Sequence, residues 1–295
     1  MGTHTRMTHR RLPPGNRVPV RVLASLEALD APARSIGKAV RRAIRPGPLK
    51  DALSGSWLGH ALHPLLTDVT IGTFTSALML DWLGGEESRP AARRLIGLGL
   101  LSTAPTVTSG YSDWADTEVA STSVRRIGIV HAATNATAAS LFAASWAERR
   151  RGGNGRLLAL AGGGALAAGG YLGSHLTLAE GVGVDQTVFE AGVDEWTPVL
   201  ADAELSDGRA RCVEADGTAV MVVRRAGTVY ALSDHCSHRG GPLHEGTFDG
   251  FTVRCPWHDS VFDLRDGALV HGPAAYPQPA WETRVREGRI EVRRR

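Results

Sequence analysis

Two short pairs of cysteine and histidine near the C-terminus constrain this chain more than any other feature. One residue separates Cys236 from His238, and two residues separate Cys255 from His258. Sixteen residues lie between the two pairs. Thiolate and imidazole groups are the protein ligands that transition metals favour, and two close pairs can meet on one centre. The sequence therefore predicts a metal site built by two loops that the fold must bring together.

Zinc is the simplest occupant of a site with two cysteines and two histidines. Zinc-binding pairs usually contain like ligands, as in Cys-x-x-Cys or His-x-x-x-His, whereas each pair here is mixed. Glycine and proline residues also follow the first pair closely. The mixed pairs argue against zinc, which stays open as the alternative at this point.

Both loops resemble those of Rieske iron–sulfur proteins. The first reads Cys-Ser-His-Arg-Gly-Gly-Pro-Leu from Cys236, and the second reads Cys-Pro-Trp-His-Asp-Ser-Val-Phe-Asp from Cys255. The resemblance covers residues 196–293 and implies a 2Fe–2S cluster with both cysteines on one iron and His238 and His258 on the other. It also implies that the two loops cap one end of an antiparallel β domain.

The same resemblance implies supporting roles around the cluster. Ser260 stands where family members place a hydroxyl that faces a cluster sulfur, and Gly240 and Pro242 occupy family positions after the first pair. Phe262 stands where high-potential members have tyrosine, which predicts a low-to-middle potential within the Rieske range of roughly −150 to +300 mV. Pro273 lies in a segment that resembles the proline loop, which shields the cluster.

Only three cysteines are present, and the third, Cys212, stands in an apparent strand at 210–213. Rieske proteins of the cytochrome bc complexes have additional cysteines that link the two loops by a disulfide. Their absence here makes the chain resemble the ferredoxin and oxygenase type. Oxygenases normally continue into a catalytic domain after the cluster, and this chain ends just past residue 290, so we expect no oxygenase activity and no catalytic residues.

Residues 60–180 contain four apolar segments that predict membrane spans. They lie at about 64–83, 95–112, 127–147 and 157–179, and the last three contain no charged residue. Such segments are long enough to cross a bilayer, and their many small residues allow helices to approach closely. A soluble helical bundle is the alternative, but its helices should carry charges every few residues. The opening of this region, from Gly59 to Leu66, resembles a family of uncharacterised bacterial membrane proteins.

From residue 196 the pattern changes to short β-type runs between Gly- and Asp-containing turns. The predicted strands are 219–223, 229–232, 252–254, 261–264, 281–285 and 290–292. The predicted fold class is therefore α + β with several domains, an N-terminal four-helix transmembrane bundle followed by an antiparallel all-β domain at 196–295. An acidic linker is predicted at 181–195.

The N-terminal region is strongly basic. Residues 1–59 contain 11 Lys and Arg against 3 Asp and Glu. We predict a disordered tail at 1–17 and a basic amphipathic segment at 18–59 that lies on a membrane surface or is solvated. This charge favours a cytoplasmic N-terminus in a bacterial inner membrane. An even number of spans would place the β domain on the same side. Nucleic-acid binding is not expected.

Four histidines of the membrane half form a second candidate site. His60, His63, His131 and His175 all lie near the same predicted membrane face because successive spans alternate in direction. Two imidazoles in a helical bundle are typical axial ligands of haem b. Another metal, a quinone site, and purely structural hydrogen bonds are the alternatives.

These features predict a membrane-tethered carrier of single electrons, with a lipid bilayer and a redox partner protein as its neighbours. The partner would be a reductase, an oxygenase or a respiratory component. A second hypothesis is a membrane oxidoreductase with haem b or quinone in the bundle. A third is an anchoring protein whose cluster senses redox state.

Overall fold

The computed structural model describes residues 18–295, so the predicted tail at 1–17 lies outside the described residues. The helical half spans residues 18–178, a connecting segment covers 179–196, and a β domain covers 197–294. The α-helices described are α1 (Val18–Ser25), α2 (Asp30–Ala43), α3 (Pro48–Ser54), α4 (Leu62–Leu83), α5 (Arg89–Thr117), α6 (Thr122–Arg150) and α7 (Arg156–Leu178).

The helical half differs from the predicted four-helix bundle, since seven α-helices occur in the part of the chain described. The four predicted spans lie within α4 to α7, and the basic segment before them forms α1 to α3. The apolar face of this basic segment packs on α5 and α6. Ion pairs anchor its charges, as where Asp30 accepts hydrogen bonds from Arg126 at 2.9 and 3.0 Å.

Within residues 18–295, α6 and α7 are the two helices long and apolar enough to cross a membrane by length and composition. Helix α4 packs mainly on α5, and α6 mainly on α7. The stacked rings of Phe74 and Phe142, with centroids 3.9 Å apart, join the two pairs. Near the C-terminal end of α4, the buried carboxylate of Asp81 accepts two hydrogen bonds from Arg149 of α6. Pairing both charges removes much of the cost of burying them.

The β domain contains two antiparallel sheets, which confirms the all-β prediction for this half. Its strands are β1 (Thr197–Ala201), β2 (Ala210–Ala215), β3 (Thr218–Arg225), β4 (Thr228–Ser233), β5 (Thr247–Asp249), β6 (Thr252–Arg254), β7 (Val261–Asp263), β8 (Leu269–His271), β9 (Ala280–Arg286) and β10 (Arg289–Arg294). The larger sheet has the order β1-β10-β9-β4-β3-β2, and the smaller has the order β5-β6-β7-β8.

Three loops at one end of the β domain carry the predicted site. The first ligand loop, 234–242, connects β4 to β5, and the second ligand loop, 255–260, connects β6 to β7. The proline loop, 272–279, connects β8 to β9. All three loops rest on an apolar core that contains Met221, Leu243 and Phe262.

Candidate metal centre

The first ligand loop turns tightly around Cys236. The Cys236 N–H donates to the Gly241 carbonyl at 2.9 Å, and the Gly240 N–H donates back to the Cys236 carbonyl at 2.7 Å. Gly240 has a φ of 73°, in the left-handed region that glycine enters without strain. The predicted glycine at this position therefore serves the turn that presents Cys236.

The second ligand loop folds in the same way around Cys255, whose N–H donates to the Ser260 carbonyl at 2.8 Å. The two loops meet at Gly241, because a Cβ on this residue would lie 2.9 Å from the Cys255 sulfur. A side chain at Gly241 would force the loops apart. Glycine is thus required here by close approach rather than by its backbone angle.

The four predicted ligands converge at the meeting point of the loops. Cys236 and Cys255 are buried and hydrogen-bonded to each other through their side chains. The rings of His238 and His258 lie beside each other with centroids 5.0 Å apart and planes at 88°. The structure therefore brings together two thiols and two imidazoles that are separated by sixteen residues in the sequence.

Hydrogen bonds around the sulfurs favour thiolate at Cys255, whereas donation to Cys255 and burial raise the pKa of the Cys236 thiol well above its usual value. The main-chain N–H groups of His238 and Arg239 point at the Cys236 sulfur, and two N–H groups of the second ligand loop point at the Cys255 sulfur. The Cys236 thiol donates to Cys255 and lowers the pKa of the Cys255 thiol to about 7. Thiolate is the form in which cysteine binds metals, so this environment suits a metal centre.

The histidines are prepared for metal binding as well. Burial lowers the pKa of both His238 and His258, which favours the neutral imidazole that acts as a ligand. The Nδ1 atom of His238 is buried and has no hydrogen-bond partner among the described residues. A buried polar atom without a partner is costly, and coordination to iron would satisfy it. The donor set and this nitrogen fit a 2Fe–2S cluster.

The predicted supporting residues lie around the same point. Ser260 is buried, and its hydroxyl oxygen accepts the Ala274 N–H at 3.0 Å, which leaves its own proton available to a neighbour. Phe262 is fully buried in the core beneath the cysteines. Pro242 pairs with His235 at the end of the first ligand loop, and Pro273 is buried in the proline loop.

Sequence reasoning missed Gln278, which holds the first ligand loop in place. Its amide nitrogen donates to the carbonyls of Ser233 and His235 at 2.8 and 2.7 Å, and its oxygen accepts the Ser237 N–H at 2.9 Å. The side chain is 1% exposed. These contacts join residues about forty positions apart in the sequence, so no local sequence pattern predicts them.

The helical half contacts the proline loop, and the connecting segment contacts the first ligand loop. Asp51 of α3 accepts hydrogen bonds from His271 Nδ1 at 2.9 Å and from the Gly272 N–H at 2.8 Å. The Ser56 hydroxyl donates to the Ala274 carbonyl at 2.9 Å. In the connecting segment, the Gly181 carbonyl accepts from Arg239 at 2.9 Å. The cluster end of the β domain is therefore docked on the helices, which the sequence did not indicate.

Buried polar groups of the helical half stand beside the candidate ligands. The Lys50 amine forms an ion pair with Asp116 at 2.6 Å and donates to the Ser112 carbonyl and hydroxyl at 2.8 Å each. The Asp116 main-chain carbonyl is a hydrogen-bond acceptor for His258. His238 lines a cavity of about 30 Å³ together with residues of α3, α5 and the connecting segment.

The four candidate histidines of the helical half do not form one cluster. His63 Nδ1 bonds the Thr106 carbonyl of α5 at 2.9 Å, and His131 Nδ1 bonds the Gly169 carbonyl of α7 at 2.8 Å. His60 is exposed and bonds the neighbouring Ala61 carbonyl. His175 lies 3.7 Å from Glu180. Two of the four predicted residues therefore face inward between helices, and two do not.

Comparisons with known proteins agree with this division of the chain. Residues 195–282 match the Rieske 2Fe–2S domain family, and residues 59–186 match a family described as predicted membrane protein (DUF2231). The ferredoxin CarAc of Metapseudomonas resinovorans is 35% identical over 33% of this chain and 92% of its own length. The anthranilate 1,2-dioxygenase ferredoxin subunit of Burkholderia cepacia is 31% identical over 35% of this chain and 95% of its own length.

A solved structure, the ferredoxin of carbazole 1,9a-dioxygenase from Nocardioides aromaticivorans, aligns with 33% identity and a TM-score of 0.33, covering 35% of this chain and 100% of that one. The ligand loops, the family match and the two ferredoxin relatives together define an iron–sulfur protein with a helical domain before its β domain. The chain belongs to the Rieske 2Fe–2S family, as its loops predicted, and carries an N-terminal DUF2231 domain.

Proposed function

We propose that this chain is a membrane-tethered Rieske electron carrier. Cys236 and Cys255 would hold one iron of a 2Fe–2S cluster, and His238 and His258 would hold the other. The cluster, when bound, stores and releases one electron at a time. The convergence of two buried cysteines with the unpartnered Nδ1 of His238 is the observation that carries this proposal.

Optical and EPR spectra of the detergent-purified full-length chain test the cluster. We expect a Rieske spectrum after reduction with dithionite, and its loss in Cys255→Ser. Cys212→Ser is the control, since Cys212 lies on β2 and is no predicted ligand, although its thiol lies within 4.8 Å of Asp234 at the start of the first ligand loop. A chain that contains zinc and gives no iron–sulfur signal would sink the proposal.

The proposal of a membrane tether is supported by the outer surface of the helices. Large apolar side chains are exposed along them, with Leu101 74% and Leu157 75% exposed. Exposed apolar side chains on long helices are stable in contact with lipid and unfavourable in water. We expect the protein to stay with bacterial inner-membrane vesicles after carbonate washing, and release into the supernatant would contradict the tether.

We place the β domain on the cytoplasmic side of a multi-pass inner-membrane protein. The excess of basic residues in 1–59 favours a cytoplasmic N-terminus. Four predicted spans, an even number, would return the chain to that side before the β domain begins. A C-terminal reporter that is active only in the cytoplasm should be active in this fusion. Activity of a periplasmic reporter instead would reverse the orientation.

The partner is proposed to be a protein that exchanges single electrons. Two relatives are named as ferredoxin components of dioxygenase systems, for anthranilate and for p-cumate. An oxygenase or a reductase is therefore the first class to test, with a respiratory component next. Cluster reduction by a ferredoxin reductase, followed optically, is the direct assay.

A second candidate function is a membrane oxidoreductase with its own bundle cofactor. His63 and His131 favour it because the Nδ1 of each ring bonds a main-chain carbonyl, the usual second bond of a metal-bound histidine. His63 would then offer Nε2 to haem b or a metal, whereas His131 could do so only by giving up the contact of its Nε2 with the Asn135 amide at 3.4 Å. A pyridine haemochrome assay and metal analysis of wild type and His131→Ala test this. Purified protein without haem or a metal in the bundle would exclude haem b and a metal as its cofactor. Quinone extraction would then test quinone, the third candidate.

A further inference from the structure

Lys50 is an unusual residue in this chain. The sequence contains 31 Arg and only two Lys, Lys38 and Lys50. Lys38 is exposed on α2, whereas Lys50 is 4% exposed on α3. Burying an ammonium group is costly unless it is paired and hydrogen-bonded. The contacts with Asp116 and Ser112 meet that requirement and fix the position of the charge.

This fixed ion pair lies beside the histidine side of the candidate cluster. Ser54, one turn after Lys50, and Asp113, next to Ser112, line the cavity that His238 also lines. The main-chain carbonyl of Asp116 accepts a hydrogen bond from His258. The helical half therefore contributes a buried cation and a buried anion to the surroundings of the iron that the histidines would hold.

Charges in this position affect electron transfer directly. A Rieske cluster gains one negative charge when it is reduced. A nearby buried cation stabilises the added electron, and a nearby buried anion opposes it. Both effects are stronger in a protein interior than in water because the effective dielectric constant is lower.

We propose that Lys50 and Asp116 of the helical half set the reduction potential of the cluster in the β domain, Lys50 upward and Asp116 downward. This inference rests on the proposed function, because it requires a cluster at the candidate centre. It makes the helical half part of the redox site, and Lys50 and Asp116 act through space without binding iron.

The experiment is a redox titration of the full-length protein, with the Rieske EPR signal as the readout. Lys50→Met should shift the midpoint potential down, and Asp116→Asn should shift it up. Lys50→Arg keeps the cation and should stay close to wild type. Lys38→Met is the matched control, since it removes the same charge from an exposed site on α2, and it should leave the potential unchanged.

The opposite signs separate electrostatics from damage to the fold, because structural disturbance has no reason to move the potential in two directions. If Lys50→Met does not accumulate, the Asp116→Asn titration decides alone, and only an upward shift supports the proposal. Potentials that are unmoved, or that move in the same direction, overturn it while the wild-type Rieske signal upholds the proposed function. A wild-type protein without that signal overturns both.

Discussion

At the scale of the residue, Gln278 links the proline loop to the first ligand loop. Its side-chain amide satisfies two carbonyls and one N–H of the segment 233–237. Those main-chain groups lie in a buried region with little access to water. The position of Cys236 and His238 therefore depends on a side chain that binds no metal.

Replacing Gln278 with leucine should destabilise the β domain by about 3 kcal/mol. The estimate follows from leaving buried main-chain groups unsatisfied, at about 1–3 kcal/mol for each group lost. Chemical denaturation followed by the cluster absorbance measures the change. The control is Gln186→Leu, at an exposed position of the connecting segment. Equal stability of the two variants would contradict the role given to Gln278.

The carboxyl of Glu190 should make the stability of the folded protein depend on pH. Its side chain is partly buried, with an oxygen 3.7 Å from His235 Nδ1, and burial raises the pKa of its carboxyl above the usual 4.5. An acid whose pKa is higher in the folded state contributes stability at low pH, and that contribution is lost as the pH rises through the folded-state value. The wild type should therefore lose stability between pH 4.5 and the higher folded-state value.

Glu190→Gln should remove this dependence. We expect the variant to melt at a higher temperature than wild type at pH 7 and at a similar temperature at pH 4. Glu204→Gln, at an exposed position, serves as the control and should track wild type at both pH values. A variant that is less stable than wild type at pH 7 would show that the ionised carboxylate is favourable in the fold.

At the scale of the element, glycines determine how the helices of the bundle accommodate the two inward histidines. A Cβ on Gly110 of α5 would lie 2.6 Å from the His63 ring, and a Cβ on Gly173 of α7 would lie 2.9 Å from the His131 ring. Each ring therefore occupies the space that a missing side chain leaves on the facing helix. Gly164, also on α7, faces open space.

Gly110→Ala and Gly173→Ala should lower the melting temperature, because overpacking typically costs about 1–3 kcal/mol. Gly164→Ala should raise it slightly, since alanine is favoured over glycine in a helix by about 0.5–1 kcal/mol where space is free. Thermal unfolding in detergent measures all three. A stable Gly173→Ala protein would mean that His131 is free to move away.

The strands divide into those that sequence predicts and those that it does not. The six predicted runs correspond to β3, β4, β6, β7, β9 and β10, all inside their sheets. The strands absent from the prediction, β1, β5 and β8, are sheet edges, and the edge strand β2 was indicated only at 210–213. Edge strands bury fewer side chains, so their apolar pattern is weak. In β8, two of the three residues are exposed. The existence of edge strands depends on hydrogen bonds to a neighbour.

At the scale of the whole molecule, the site is assembled from both halves. The four candidate ligands were predictable because each lies in a short motif. Lys50, Asp116 and Gln278 were not, since their relation to the ligands exists only in the folded chain. The amphipathic segment 18–59 is predicted to lie on a membrane surface or in water, and its contact with the proline loop through α3 was not predictable from its sequence.

Asp51 connects the halves through two hydrogen bonds to the start of the proline loop. Asp51→Ala should loosen the docking, because the Gly272 N–H loses its acceptor. Hydrogen–deuterium exchange should then speed up in peptides covering 236–240 and 271–276 and stay unchanged in β3, the internal reference. Asp249→Ala, at the exposed end of β5, is the control variant. Unchanged exchange in Asp51→Ala would mean that other contacts hold the halves together.

The docking also has a consequence for biogenesis. Contacts from Asp51 and Ser56 of the helical half close over the proline loop, and a contact from the connecting segment closes over the first ligand loop, which would hold iron. A protein that delivers iron and sulfide needs those loops open. We therefore expect cofactor insertion to precede docking, so that maturation of this protein has a fixed order in which the β domain is loaded first and docks onto its own helical half afterwards.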